Sequence, residues 1–343
     1  MGTIISKRKD VMLRKTLLGT YLCSLFIAGN AYGAEGDDIP QRAQTVGDVI
    51  ERPGVLTPKG KWSFDSSLSY TQNSSNKVSV VGYTVLPTLI VGRIEVSDSD
   101  RTTVTVGLTA RYGLTNATEL EVRVPYVYRN DQVSTRPIQD GSNSEVVNTT
   151  VDGGGLGDVE FALRHQFNFE SAPYWVGGLR VKSDTGRSPY DVSIEDGSNS
   201  FSDVPTGSGF WSFEPNLSLI HPVDPAVLFA SLSYIYNLED TVTVGDTKAD
   251  VELGDTISLS GGMGGFAVNP DLSFSLGLSH KTILKSKVNG RSADDAKLLQ
   301  LDALTFGINY AFSERSSINV SAQAGLTEDT PDFQLTVRVP FNL

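Results

Sequence analysis

The chain has 343 residues, 39% hydrophobic and 20% charged, with a formal net charge of −12, one cysteine and three histidines. The acidic balance argues against nucleic acid as a partner. A single thiol leaves no disulfide, zinc–thiolate site or iron–sulfur cluster, and no apolar run reaches the roughly eighteen residues of a membrane helix.

Lys7, Arg8, Lys9, Arg14 and Lys15 precede a short apolar run, Leu17 to Ala28. Ala31-Tyr32-Gly33 then offers small residues at a cleavage site, so residues 1–33 are expected to be a secretory signal removed after Gly33. Met12 is an alternative start. Cys23 lies inside the run without the preceding small residue that a lipid-anchor signal needs. Removal discards the cysteine and a net +4, leaving a mature charge of about −16. Residues 34–60 form a polar lead, expected in the periplasm, with a short helix over Gln41 to Glu51 that Pro53 would end.

From Lys61 to Leu343 one pattern recurs: a strand, then a tight turn or a long polar loop, then another strand. The tight turns are Gly113-Leu114-Thr115-Asn116, Glu170-Ser171-Ala172-Pro173, Pro222-Val223-Asp224-Pro225, Asn269-Pro270-Asp271 and Ser313-Glu314-Arg315. Strands are predicted near 61–73, 101–112, 117–130, 156–169, 174–185, 209–221, 226–238, 253–267, 272–287, 298–312, 316–326 and 333–343. The pattern predicts an all-β fold: an antiparallel up-and-down transmembrane β-barrel of about twelve strands, both ends in the periplasm. Val78 to Val96 is ambiguous. It is an extension of the first loop, or two further strands turning at Pro87 that would give fourteen; Pro87 favours the extension.

Alternation assigns the faces. Leu120, Val122 and Val124 oppose Glu119, Glu121 and Arg123; Phe161 and Leu163 oppose Glu160 and Arg164; Leu304, Phe306 and Ile308 oppose Thr305, Gly307 and Asn309. The apolar set should face lipid, where a charge at the midplane costs about 2–4 kcal/mol, and the polar set should line a wet interior. Aromatics gather at two depths, Trp62, Tyr112, Trp175 and Phe312 near the tight turns and Tyr70, Tyr128, Tyr234 and Tyr236 at the far ends. A soluble β-sandwich core would explain the aromatics but not the loop asymmetry or the two-faced strand Phe333–Leu343.

The candidate lumen-lining residues are Arg111, Glu119, Glu121, Arg123, Glu160, Arg164, Arg180, Lys182, Glu214 and Arg338, with Lys281 of the same facing. Across the first turn Arg111 and Glu119 are expected nearly opposite each other. Mixed signs read either as a salt-bridge network stiffening a narrow barrel or as a pore lining that sets selectivity. Folded loops or the lead could narrow the space. The long loops, expected to be extracellular, are acidic, but no spacing typical of a cation loop is present and no metal is assigned. Asp152-Gly153-Gly154-Gly155 reads as a flexible loop end.

The lead Arg52 to Gly60 (RPGVLTPKG), the hairpin Ala110 to Arg129 (ARYGLTNATELEVRVPYVYR), Gly155-Leu156-Gly157-Asp158 and Val337-Arg338-Val339-Pro340-Phe341 together carry a family resemblance. They resemble the outer-membrane transporter family named after the meta-cleavage pathway of phenol degradation, over essentially the whole mature chain. The resemblance implies a single-chain barrel and uptake of small, often aromatic or hydrophobic, compounds, and it transfers no catalytic motif. The reading is therefore a passive outer-membrane channel without cofactor. Its expected partners are a small solute, outer-membrane lipid and lipopolysaccharide, and the barrel-assembly machinery through Phe333–Leu343. The alternatives are a surface adhesin or structural barrel, and a lipid hydrolase built on His280; Ser279, its neighbour, lies on the opposite face.

Overall fold

The computed structural model describes residues 55–81, 84–86, 89–90, 93–136, 147–192, 203–244, 247–269, 271–292, 296–313 and 316–342. The signal segment and the short helix near Gln41 lie outside them. Twelve strands close into an antiparallel ring. They are β1 Trp62–Val81, β2 Arg93–Thr115, β3 Thr118–Arg136, β4 Glu160–Gln166, β5 Tyr174–Lys182 and β6 Ser212–Val223. The second half comprises β7 Ala226–Asn237, β8 Thr256–Asn269, β9 Leu272–Ile283, β10 Leu299–Ser313, β11 Ser316–Gly325 and β12 Phe333–Asn342. Each strand pairs with the next, and β12 returns to β1 over the register Ser63↔Asn342 to Gln72↔Phe333. Closure leaves no strand edge in the ring, so the wall's backbone polar groups are paired within it.

The molecule is packed inside-out. Leu108 and Leu259 are each 55% exposed and Leu278 is 59% exposed, whereas Asp65, Glu119 and Glu121 are buried. A soluble sandwich would show the reverse. Among the described residues the apolar cluster that is buried, Phe210, Ala249, Val251 and Leu253, lies beyond the long-loop ends of the strands, not between sheets. Tyr190 packs edge-on to Phe210 there, at 5.9 Å between ring centroids, and burial pushes its phenol up to about 12.

The long-loop end carries more strand than its sequence discloses. β1 and β2 stay paired out to Val81↔Arg93, and a short pair, Thr84–Leu86 with Leu89–Ile90, tips the hairpin. Val78 to Val96 is thus an extension of the first hairpin, and the ring has twelve strands rather than fourteen. Asp152-Gly153-Gly154-Gly155 is not a loose loop end: Val147–Leu156 is a strand on the outer part of β3, from Tyr126↔Leu156 to Thr135↔Val147. The chain then bends at 157–159, held by Gly157 N–H donating to the Pro125 carbonyl at 2.9 Å, and continues as β4. The predicted loop 239–252 likewise folds into Asp240–Val244 and Thr247–Glu252.

Leu278 and Ser279 on β9 point to opposite sides of the wall. Leu278→Arg should weaken insertion by about 2–4 kcal/mol if the position sits near the bilayer midplane. Ser279→Arg should cost far less. Urea-titrated folding into vesicles measures both, and equal losses would contradict the assigned faces.

Candidate functional site

The inner wall is built from every second residue, and its two halves differ in chemistry. From β12 through β6 it carries a ladder of ion pairs. Arg338 bonds Asp65, and Arg111 Nη1 lies 3.7 Å from the same carboxylate. Arg111 Nε donates to Glu121 Oε2 at 2.7 Å, Arg164 Nη2 reaches that oxygen at 2.9 Å, and Arg164 Nη1 donates to Glu119 Oε1 at 3.1 Å. A second run links Arg123 to Glu160 at 3.4 Å, Glu160 to Arg180 at 3.6 Å and Arg180 to Glu214 at 3.1 Å.

The depth of each partner matters as much as the pairing. The side chains of Asp65, Glu119 and Glu121 are 3–5% exposed, whereas Arg164 is 27%, Arg123 37% and Arg338 46% exposed. In each of these pairs the guanidinium is the more exposed partner and the carboxylate the more deeply buried one. Buried carboxylates of this kind need their partners, because removing one leaves a desolvated charge.

Nine of the ten lumen candidates fall in this ladder. Lys182 serves a different contact: its ammonium reaches Asp158 at 2.9 Å, Ser208, and the Phe210 carbonyl at 3.1 Å, tying the β5–β6 loop to the wall. Asp158 also accepts from the backbone N–H groups of Gly186 and Ser208, which fixes that loop further. Lys281 faces inward and is exposed, with no ion pair among the described residues. The expected Arg111–Glu119 pairing is incorrect. The turn falls on Asn116-Ala117 rather than within Gly113-Leu114-Thr115-Asn116, and with a one-residue bulge between Gly113 and Thr115 this sets Arg111 against Glu121 and Glu119 against Gly113 and Arg164. Asp65 was missed, although the alternation of Phe64, Leu68 and Tyr70 puts it on the inner face.

From β7 through β11 the inner wall is small and uncharged over most of its height. Ser231 and Ser260 share a hydrogen bond at 2.7 Å, and Gly262, Ser275, Gly277 and Gly307 leave little side-chain bulk. Side-chain bulk inside the ring is therefore least along this half.

At the short-turn end the lead folds against β2–β4. Thr57 N–H donates to Glu119 Oε2 at 2.8 Å, Val55 N–H to Gln166 Oε1 at 3.1 Å, and Gly60 N–H to the Gly113 carbonyl at 2.7 Å. Gly113 has no room for a side chain, since a Cβ there would collide with the Thr57 and Pro58 carbonyls. Residues 55–60 thus pack on inner-face side chains at this end of the ring.

On the outer wall, His280 Nδ1 lies 2.6 Å from Asp302 Oδ1 and Nε2 lies 3.0 Å from Thr282 Oγ1. The three residues share the facing of Leu278 and Leu304, near the long-loop end. Ser279 points into the barrel, away from them. Tyr128 and Tyr234 on the same outer rim donate to Asp152 at 3.1 Å and Asp255 at 2.6 Å.

The ladder predicts an order of stabilities. Glu121→Gln removes the carboxylate shared by Arg111 and Arg164 and should destabilise the folded barrel by about 1–3 kcal/mol. Glu214→Gln, at the end of the second run and more exposed, should cost clearly less. Equilibrium unfolding of both variants in urea checks the ranking; equal costs would mean that the shared position has no special weight.

A family model described as "Putative MetA-pathway of phenol degradation" matches residues 96–343. Among solved structures, the COG4313 outer membrane channel from Pseudomonas putida F1 superposes with a TM-score of 0.58 at 14% identity, covering 91% of this chain and 100% of that one. The Pseudomonas putida toluene transporter TodX gives 0.43 at 13% identity, over 91% of this chain and 98% of that one. A Pseudomonas aeruginosa FadL homologue gives 0.41 at 10%, over 85% and 96%. At such identities the likeness to the first is one of fold, and the two weaker matches carry no weight of their own. The family match spans well over half of the chain and takes in all of the wall from β3 to β12, and so the chain belongs to the family of the phenol-degradation MetA pathway.

Proposed function

We propose that this barrel is an outer-membrane channel through which small solutes, hydrophobic or aromatic ones among them, enter passively and without a cofactor. The observation that carries the reading is the division of the inner wall: one half stiffened by paired charges, the other lined by serines and glycines that leave space. An enclosure built only for rigidity would need no such clear half. The channel with the same fold supports a transport role, and the family's description, a pathway of phenol degradation, supports aromatic solutes.

In this reading the short turns and the lead lie in the periplasm and the long loops face outward, among lipopolysaccharide. Residues 1–33 are removed on export, and Phe333–Leu343 presents the closing strand to the barrel-assembly machinery. Purified protein in planar bilayers should give stepwise conductance, and loaded liposomes should swell in small solutes. No current and no solute entry would leave the adhesin reading standing.

A second reading has one specific observation in its favour. Asp302, His280 and Thr282 form a hydrogen-bonded relay on the lipid-facing wall, the order in which a carboxylate orients an imidazole and the imidazole takes a hydroxyl proton. Such a relay would act on acyl esters of the surrounding lipid. Ester hydrolysis in mixed micelles, lost in both His280→Ala and Thr282→Val, would establish it. Activity unchanged in both variants, or none in the parent, would dismiss it.

A further inference from the structure

Phe229 is out of place for a membrane wall. On β7 the lipid-facing side chains are Leu228, Leu232, Tyr234 and Tyr236, and Phe229 falls on the opposite parity, inside the barrel. Its register neighbours are Ile220 on β6 and Gly262 on β8, and Ile220 is in turn opposite Tyr174 on β5. Tyr174, Ile220 and Phe229 therefore stand side by side as an apolar row close to the short-turn end.

The wall positions that face the ring, Gly262, Gly264 and Gly277, carry no side chains to prop it upright. A Cβ at Gly262 would stand 2.8 Å from Phe229 Cζ, one at Gly277 3.5 Å from the same atom, and one at Gly264 3.7 Å from Cε1. The phenyl ring thus lies over bare backbone, reaching across β8 to β9. Tyr174 and Val176 on the same wall are 6% exposed, but Phe229 is 37% exposed. A ring that merely shields glycine backbone is a known device of sheets. It does not require this one to present so much of itself to a wet passage, where bare aromatic surface is unfavourable.

We propose that Phe229, with its glycine floor and with Ile220 and Tyr174 beside it, is a docking platform for flat aromatic rings at the exit of the passage. This rests on the channel reading and gives its aromatic solutes a place on the wall. The free face of the ring offers offset stacking to a planar partner, which a saturated ring of similar size cannot match. Neighbouring serines such as Ser231 and Ser260 are close enough in the wall to leave a polar substituent solvated.

The test uses benzenesulfonate and cyclohexanesulfonate, permanently charged probes of similar size that do not cross bilayers, as blockers of potassium chloride current through the reconstituted full-length mature chain. Benzenesulfonate should reach half-block at a concentration roughly three- to tenfold lower, the preference one ring–ring contact supports. Phe229→Leu should abolish that preference while leaving unblocked conductance near the parent's, and Phe229→Trp should retain it. A preference that survives Phe229→Leu overturns the platform but leaves the channel intact. Should the parent carry no current, the channel reading fails, and equilibrium dialysis of the two sulfonates against detergent-solubilised parent and Phe229→Leu still decides the platform. Equal binding to parent and variant would overturn it there.

Discussion

The closing seam between β1 and β12 is the constraint on which the rest depends. A strand at an open edge carries a row of unpaired donors and acceptors, and hydrocarbon offers them nothing to bond. Ten register pairs, Ser63↔Asn342 through Gln72↔Phe333, remove that edge and fix which way every side chain on both strands points. Once the seam is set, strict pairing carries the facing from strand to strand around the ring. One consequence is that acids tens of residues apart, such as Asp65 and Glu121, reach a common arginine.

The inner wall then divides its tasks. Charge pairs across β12–β6 bind strands to one another at positions where the backbone alone supplies only the ladder, and they occupy volume. Across β7–β11 serine hydroxyls do similar cross-strand bonding with far less bulk, as Ser231 and Ser260 show. The lead adds to the crowded side, since it docks on Glu119 and Gln166, both of which belong to the charged half. Crowding and clearance are thus kept on opposite sides of one ring, and Phe229 is the exception that interrupts the clear side.

Much of this architecture is legible in the chain because a period of two is a direct statement of facing. Strands with one apolar and one charged parity, such as Thr118 to Val124, disclose both their extent and their inner residues. Where the signal fails, the reason is physical. In Asp152-Gly153-Gly154-Gly155 there are no side chains to alternate, so a paired strand looks like a loose link. In Ala226–Asn237 both parities hold apolar residues, Val227, Phe229 and Ile235 among them, so nothing marks Phe229 as an inner residue. Gly113-Leu114-Thr115-Asn116 has the composition of a turn, yet the strand runs on to Thr115 and turns at Asn116-Ala117, which is why Glu119 was given the wrong arginine. The contacts of Val55 and Thr57 join segments more than sixty residues apart and leave no local trace.

The layering of acid beneath base turns a ladder that is neutral by count into a set of small dipoles, each with its positive end toward the axis. A dipole's potential falls away much faster with distance than that of a lone charge, and mobile salt shortens its reach further. Ions travelling along the centre line would scarcely sense it. A molecule large enough to brush the arginine tips would, so discrimination in such a passage depends on girth before it depends on charge.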